Sequence, residues 1–290
     1  MRRSILMFLL VLAAMFLFPS SARGAPRVTA ASFVLMDGET GQVLSARNSA
    51  ARRQPASITK IVTASLALDL CSRAEVVKVS REAAAVKVGS DIGLRRGDKL
   101  LLIDLVKGAL ISSGNDAAYA LAKHVAGSKE LFSWLMNRRA RLWGAQDTYF
   151  VDPAGYSVPG HYTTAHDLAV ISRKATHNVY FSAIVSRAKD KIHRLGQAYT
   201  QELYNTNKLL GGYPGANGIK TGTTAQAGNC LVGSARRDDR FLIAVVLKSS
   251  DRFGDVGRLL DYGFDEFIRY GISAGEVYGT LKASGRVINV

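Results

Sequence analysis

Pro55-Ala56-Ser57-Ile58-Thr59-Lys60-Ile61-Val62-Thr63-Ala64-Ser65-Leu66-Ala67-Leu68-Asp69-Leu70 is apolar around nearly its whole length and carries a single lysine close to its start. Ile58, Ile61, Val62, Ser65, Leu66 and Leu68 recur at spacings that suit a buried helix over residues 57–70. On such a helix Ser57 and Lys60, three apart, share one face. A serine hydroxyl is a poor nucleophile at neutral pH, but an amine held beside it in a dry site can lose its proton and act as its base. Backbone N–H groups at the start of the helix would face the place where an oxyanion forms. An N-capping serine followed by a solvated first-turn lysine has the same spacing, so this stretch alone leaves both readings open.

On its N-terminal side, residues 31–47 read as a hairpin, with strands at 32–36 and 42–45 around the turn Asp37-Gly38-Glu39-Thr40-Gly41. On the other side, helices are expected over 101–111, 117–125, 131–143 and 163–174. The first two are separated by Ser112-Ser113-Gly114-Asn115, a loop whose side chains can project into a cleft. Thr163 or Thr164 starts the last of them, with Asp167 in a position resembling a capping box. Trp134 and Trp143, at helical spacing, read as core rather than as platforms for sugars. A strand over 217–223 holds Lys220-Thr221-Gly222-Thr223, where Gly222 permits close backbone approach to a ligand and edge N–H groups could bind an extended peptide. Strands at 230–235 and 241–247 flank the charged turn Arg236-Arg237-Asp238-Asp239, and a final helix over 256–269 turns Leu259, Leu260, Phe264 and Phe267 to the core. Strands at both ends with helices between imply an α+β, three-layer α/β/α domain whose terminal strands meet in one antiparallel sheet flanked by helices.

The 290 residues are 48% hydrophobic and 21% charged, which excludes a disordered chain, a collagen-like repeat and a disulfide-dense mini-protein. Arg2 and Arg3 precede an uncharged run from 5 to 18 and the small-residue exit Pro19-Ser20-Ser21-Ala22-Arg23-Gly24, which together read as a secretory leader over 1–24. The formal net charge of +15 becomes +12 once Arg2, Arg3 and Arg23 are set aside. Such a surface favours anionic partners, and export points to the cell wall or a lipid surface before nucleic acid, although a solvated basic face with no specific partner reads the same way. Gly215-Ala216-Asn217-Gly218-Ile219-Lys220-Thr221 lacks the glycine that a phosphate-binding loop needs directly before its lysine. His124, His161, His166, His177 and His193 form no metal-binding pattern and read as structural or surface residues, so neither a metal nor a cofactor is expected. Pairing of Cys71 with Cys230 requires a separation that sequence does not set.

Ser57-x-x-Lys60, Ser113-x-Asn115 and Lys220-Thr221-Gly222 occur in that order, each in the element its chemistry needs. The set resembles the signature of penicillin-binding proteins and serine β-lactamases. Pro-Ala-Ser-Ile-Thr-Lys at 55–60, Ser-Ser-Gly-Asn-Asp-Ala-Ala at 112–118 and Asn-Gly-Ile-Lys-Thr-Gly-Thr-Thr at 217–224 resemble the D-alanyl-D-alanine carboxypeptidases and endopeptidases of peptidase family S11, across about residues 28–269. The resemblance implies a β-lactamase/transpeptidase-like fold in which Ser57 is acylated by a peptidoglycan stem peptide, Lys60 is the base and Ser113 relays a proton. Asn115 would hold Lys60 and the substrate amide, and Lys220 would add charge for the substrate carboxylate. The N–H groups of Ser57 and Thr223 would bind the oxyanion, within a substrate strand formed by Lys220, Thr221, Gly222 and Thr223. β-Lactams would trap the acyl stage, and membrane contact would be peripheral at most.

The domain expectation is a catalytic unit over 25–275 and a short tail over 276–290, without the β-rich second domain and amphipathic anchor that many family members carry. The protein would act in the periplasm or the extracellular cell-wall space. A one-domain layout, with Ala-Ser-Ile-Thr-Lys and Gly-Asn-Cys-Leu-Val, resembles the endopeptidase branch, whereas Ser-Gly-Asn is the usual carboxypeptidase form. The main expectation is therefore a carboxypeptidase, with a cross-link endopeptidase, a β-lactamase and a non-catalytic peptidoglycan-binding protein as alternatives. A class A β-lactamase would need an additional glutamate that no segment obviously supplies.

Overall fold

The computed structural model describes residues 26–267, together with the backbone of two strands at 280–283 and 286–289. The expected leader at 1–24 and the end of the expected last helix, 268–269, lie outside the described residues. The central sheet is five-stranded and antiparallel throughout. Its strands are β1 (Ser32–Asp37), β2 (Val43–Arg47), β7 (Ala216–Thr224), β8 (Gly228–Arg237) and β9 (Arg240–Ser249), in the order β2-β1-β9-β8-β7. The early and late strands thus do meet in one sheet: Ser32 lies opposite Leu247 and Asp37 opposite Leu242.

Both faces of β1 and β9 are covered, which is why they read as unbroken apolar runs. Side chains alternate across a strand. Phe33, Leu35, Leu242, Ala244 and Val246 therefore pack on one face with Val256, Leu259 and Leu260 of the last long helix, α8 (Arg252–Glu266). Val34, Met36, Ile243, Val245 and Leu247 pack on the other face with the helical layer. Phe264 and Phe267, expected in the core, are only half buried. Phe264 lies under the guanidinium groups of Arg237 and Arg240, and Phe267 follows the helix and meets Tyr262 edge-on.

The helical layer is built around α1 (Lys60–Leu70), buried at every position from Lys60 to Leu68. A helix apolar all round belongs in an interior. Around it lie α3 (Leu102–Leu110), α4 (Asn115–Ala126), α5 (Lys129–Leu142), α6 (Ala165–Ala175) and the short α7 (Val179–Val185). The structure adds elements that periodicity did not reveal, all short and only partly buried: β3 (Val76–Lys78) with β4 (Lys99–Leu101), α2 (Arg81–Ala84), and β5 (Lys189–His193) with β6 (Thr200–Tyr204). In the stretch read as a tail, β10 (Thr280–Ala283) pairs antiparallel with β11 (Arg286–Asn289). Among the described residues no helix is long and apolar enough to cross a membrane.

Two local readings change. The helix expected to begin at Ser57 opens instead as a 3₁₀ turn, Ala56–Thr59, and becomes α-helical only at Lys60. Trp134, read as core, is 55% exposed. Helix α5 buries Phe132, Ser133, Met136 and Ala140, and at 100° per residue Trp134 falls on the opposite side, whereas Trp143 returns to the buried side and packs on the core. Trp134 lines a cavity of about 620 Å³ with Arg138, Arg141 and Tyr149, and none of the three motifs contributes to its walls.

Candidate active site

The 3₁₀ turn that carries Ser57 is held in a tight conformation. Ala56 sits at φ +50°, a left-handed setting that disfavours any side chain and is tolerated where surrounding contacts impose it. Two backbones press on the turn. Gly155, itself at φ +91°, lies so close that a Cβ there would come 1.9 Å from the Ala56 carbonyl oxygen. Gly222 of β7 lies so close that a Cβ would be 2.9 Å from the Pro55 carbonyl oxygen. The bare Cα of Gly222 therefore serves contact with the Ser57 turn, where the sequence had suggested room for a ligand. Ser57 remains half exposed.

Beneath it, Lys60 is fully buried. Its Nζ donates to Ser57 Oγ at 2.8 Å, to Asn115 Oδ1 at 2.7 Å and to the Ala154 carbonyl at 2.8 Å. Burial pulls its pKa down to about 7, against the opposing pull of Asp152 and Asp116. Asn115 opens α4, and its Nδ2 donates to the Val88 carbonyl and to the Tyr156 hydroxyl. Ser113 precedes it at φ +63°, a second left-handed non-glycine residue. Its Oγ accepts from Lys220 Nζ at 3.0 Å, across 107 residues of chain.

Lys220 is buried and also donates to the Thr221 carbonyl. Burial, reinforced by the nearby charges of Lys60 and Arg252, holds its amine well below the ordinary lysine range, so it tends towards neutrality. Thr221 is buried and its hydroxyl lies 2.6 Å from that of Thr206, while Thr223 is exposed. Among the described residues, strand β7 is an outer strand of the sheet and pairs with β8 alone, as peptide addition along Lys220–Thr223 would require.

All three motifs thus converge, but part of the support was not read from the sequence. Asp152 accepts from the backbone N–H groups of Ala154, Gly155 and Tyr156 and from the Tyr119 hydroxyl, shaping the turn that aims the Ala154 carbonyl at Lys60. Asp152-Pro153-Ala154-Gly155 is a turn-forming composition, and that was the available signal. Arg252, at the start of α8, donates to the Gly222 carbonyl and to Thr223 Oγ1, placing a guanidinium beside β7. His161, brought down to about pKa 4 by burial, accepts from Val151 N–H through Nδ1 and so donates from Nε2 to Thr59 Oγ1. Thr164 caps α6 as expected, but Asp167 turns its carboxylate to Asp147 N–H and the Thr148 hydroxyl instead of back to the cap. Cys71 and Cys230 are both free thiols.

The chain resembles D-alanyl-D-alanine carboxypeptidase DacF of Bacillus subtilis (35% identity over 246 residues, 82% of this chain) and DacC of Escherichia coli (36% over 257 residues, 84% of this chain). It spans 63% of the length of each of these relatives. Among solved structures, a point mutant of Streptomyces K15 DD-transpeptidase superimposes with a TM-score of 0.79 at 31% identity, covering 82% of this chain and 99% of that one. An evolved penicillin-binding protein homologue from Mycobacterium tuberculosis gives 0.80 at 30% identity, covering 88% and 98%. These likenesses carry the three-layer fold. With the family model matched over residues 20–251, they show that the chain belongs to peptidase family S11, the D-alanyl-D-alanine carboxypeptidase family.

Proposed function

We propose that this protein is an exported serine-type D,D-carboxypeptidase that removes the terminal D-alanine from peptidoglycan stem peptides through a Ser57 acyl-enzyme, and that β-lactams trap that intermediate. The observation that carries the reading is the fully buried Lys60 amine, its pKa brought down to about 7, 2.8 Å from Ser57 Oγ. The neutral amine keeps two N–H donors, for Asn115 and the Ala154 carbonyl, and takes the Ser57 proton on its lone pair as Oγ attacks the D-Ala-D-Ala carbonyl carbon. The oxyanion is met by the N–H groups of Ser57 and Thr223. Ser113 relays the proton to the departing D-alanine nitrogen, the C–N bond breaks, and Lys60 is again neutral. Water then attacks the ester, Lys60 takes its proton, and Ser57 leaves with that proton. In a β-lactam the leaving nitrogen stays tethered, which hinders the water step.

The substrate peptide lies along β7 between Thr221 and Thr223, with Asn115 on its amide. Arg252 supplies a permanent positive charge beside the strand, and a bound carboxylate would favour the charged form of Lys220 against the burial that opposes it. Export rests on the leader-like residues 1–24 and on the wall-polymer substrate, and the catalytic unit is assigned to 25–275.

The test is incubation with isolated muropeptides, followed by mass spectrometry, with Ser57→Ala as control. Loss of one D-alanine from pentapeptide monomers is expected, and none with the variant. Splitting of cross-linked dimers would replace the carboxypeptidase reading with the endopeptidase one. Absence of any product and of covalent penicillin labelling would overturn both. Likeness to the Streptomyces K15 DD-transpeptidase supports a second outcome for the same acyl-enzyme, transfer to an amine in place of water. Added glycine or D-amino acid acceptor would then appear in the product.

A further inference from the structure

Among the described residues, Cys71, Glu75 and His124 bring a thiol sulfur, a carboxylate oxygen and an imidazole nitrogen within 4.8 Å of one another. None of the three belongs to the Ser57 site. We propose that they form a binding site for one divalent transition-metal ion of the zinc type, which clamps the far ends of α1 and α4.

The donor set suits that ion. Thiolate, imidazole and carboxylate are the three side-chain ligands of zinc, and one thiolate with one carboxylate balances a charge of +2. Hard cations such as calcium and magnesium, which take oxygen ligands, are poorly served by it. Tetrahedral coordination with bonds of roughly 2.0–2.3 Å places ligand atoms about 3.3–3.7 Å apart. His124 Nε2 and Glu75 Oε2, now hydrogen-bonded at 2.9 Å, would separate by a few tenths of an ångström to admit the ion, while the widest donor pair, within 4.8 Å, would close by about an ångström. Cys71 would give up its thiol proton to solvent, and water would fill the fourth position. All three side chains reach solvent in part, so the ion has an entry path.

The scaffold around the three groups is already fixed. Cys71 ends α1, with its N–H on the Ala67 carbonyl. Glu75 N–H bonds the Ser72 carbonyl, its own carbonyl accepts from Leu102 N–H, and its Oε1 accepts from Ser72 N–H at 2.5 Å, which orients the carboxylate from behind. His124 lies in the last turn of α4. Metal binding would therefore join the end of the helix that begins at Lys60 to the end of the helix that begins at Asn115. A histidine–glutamate contact alone would account for two of these groups and leaves the third donor, on a different element, unexplained.

Cobalt(II), titrated into the purified protein under reducing conditions, is the direct probe. A stoichiometric thiolate-to-cobalt band in the near ultraviolet, with the strong visible bands of tetrahedral cobalt, is expected. Zinc should displace it and raise the melting temperature of the protein. Cys71→Ser should lose the near-ultraviolet band, His124→Ala should lose stoichiometric binding, and neither variant should retain the zinc-induced shift. Circular dichroism of the variants checks folding. Should a variant not fold, a chelator added to the zinc-loaded wild type must reverse its shift. Absence of the thiolate band in the wild type overturns the proposal, as does its persistence in Cys71→Ser, which would move binding to Cys230.

Discussion

At the scale of single residues, the chemistry depends on how cheaply an amine can be kept neutral. Lys60 has no solvent exposure, and desolvation outweighs the two carboxylates that favour its charge. A base must be deprotonated to act, so the acylation rate is expected to rise with pH through about 7, where Lys60 loses its proton, and to level off above it. A penicillin-acylation pH profile measures this, and a profile flat from about pH 5 to 9 would remove Lys60 from the role. Lys60→Ala should slow acylation by roughly 10²–10⁴-fold. Arg252→Ala should act differently. Because Arg252 touches β7 and not Ser57, the loss should appear mainly as a raised KM for substrates ending in a carboxylate, read by steady-state kinetics.

At the scale of elements, the nucleophile is aimed by packing of one turn against its neighbours. The Ser57 turn is pressed by the Asp152–Tyr156 segment on one side and by β7 on the other. Gly155→Ala places a methyl group against the Ala56 carbonyl at a backbone setting unfavourable to alanine. The expected cost is about 1–3 kcal/mol of stability, seen in denaturant unfolding, with a larger proportional loss of acylation because Ser57 is displaced. Equal activity per folded molecule would show that this contact does not set the geometry.

At the scale of the whole molecule, the first and last parts of the domain are tied by one buried carboxylate. Asp255 in α8 accepts from the N–H and hydroxyl of Thr29, the N–H of Ala30 and the Ser249 hydroxyl, and pairs with Arg258. Burial alone would raise its pKa, but these hydrogen bonds hold it below the ordinary aspartate value. The group therefore stabilises the fold fully above its unfolded-state pKa, and that stabilisation disappears as pH falls through the lower folded-state value. Asp255→Ala should cost about 3 kcal/mol at neutral pH, a fall of roughly 6–12 °C in melting temperature. Melting curves of both proteins at descending pH should converge.

Much of this molecule was legible in its sequence for local reasons. The unbroken apolar runs of β1 and β9 and the all-round apolar α1 announce elements covered on every side, and Ser57, Lys60, Ser113, Asn115 and Lys220 stand in short motifs. Periodicity also misplaced Trp134, because a count of helical spacing does not say which face meets the core until the burial of Phe132, Met136 and Ala140 is known. The order of the long strands and helices and the identity of the reactive side chains could be read along the chain, since both follow from neighbouring residues, whereas the short pairs β3–β4 and β5–β6 could not. What depresses Lys60, what aims the Ala154 carbonyl, and the meeting of Cys71, Glu75 and His124 became visible in three dimensions alone. The contacts of Lys60 with Asn115 and Ala154, and of Glu75 with His124, join residues tens of positions apart, and their distances are set by tertiary packing, which no local pattern encodes.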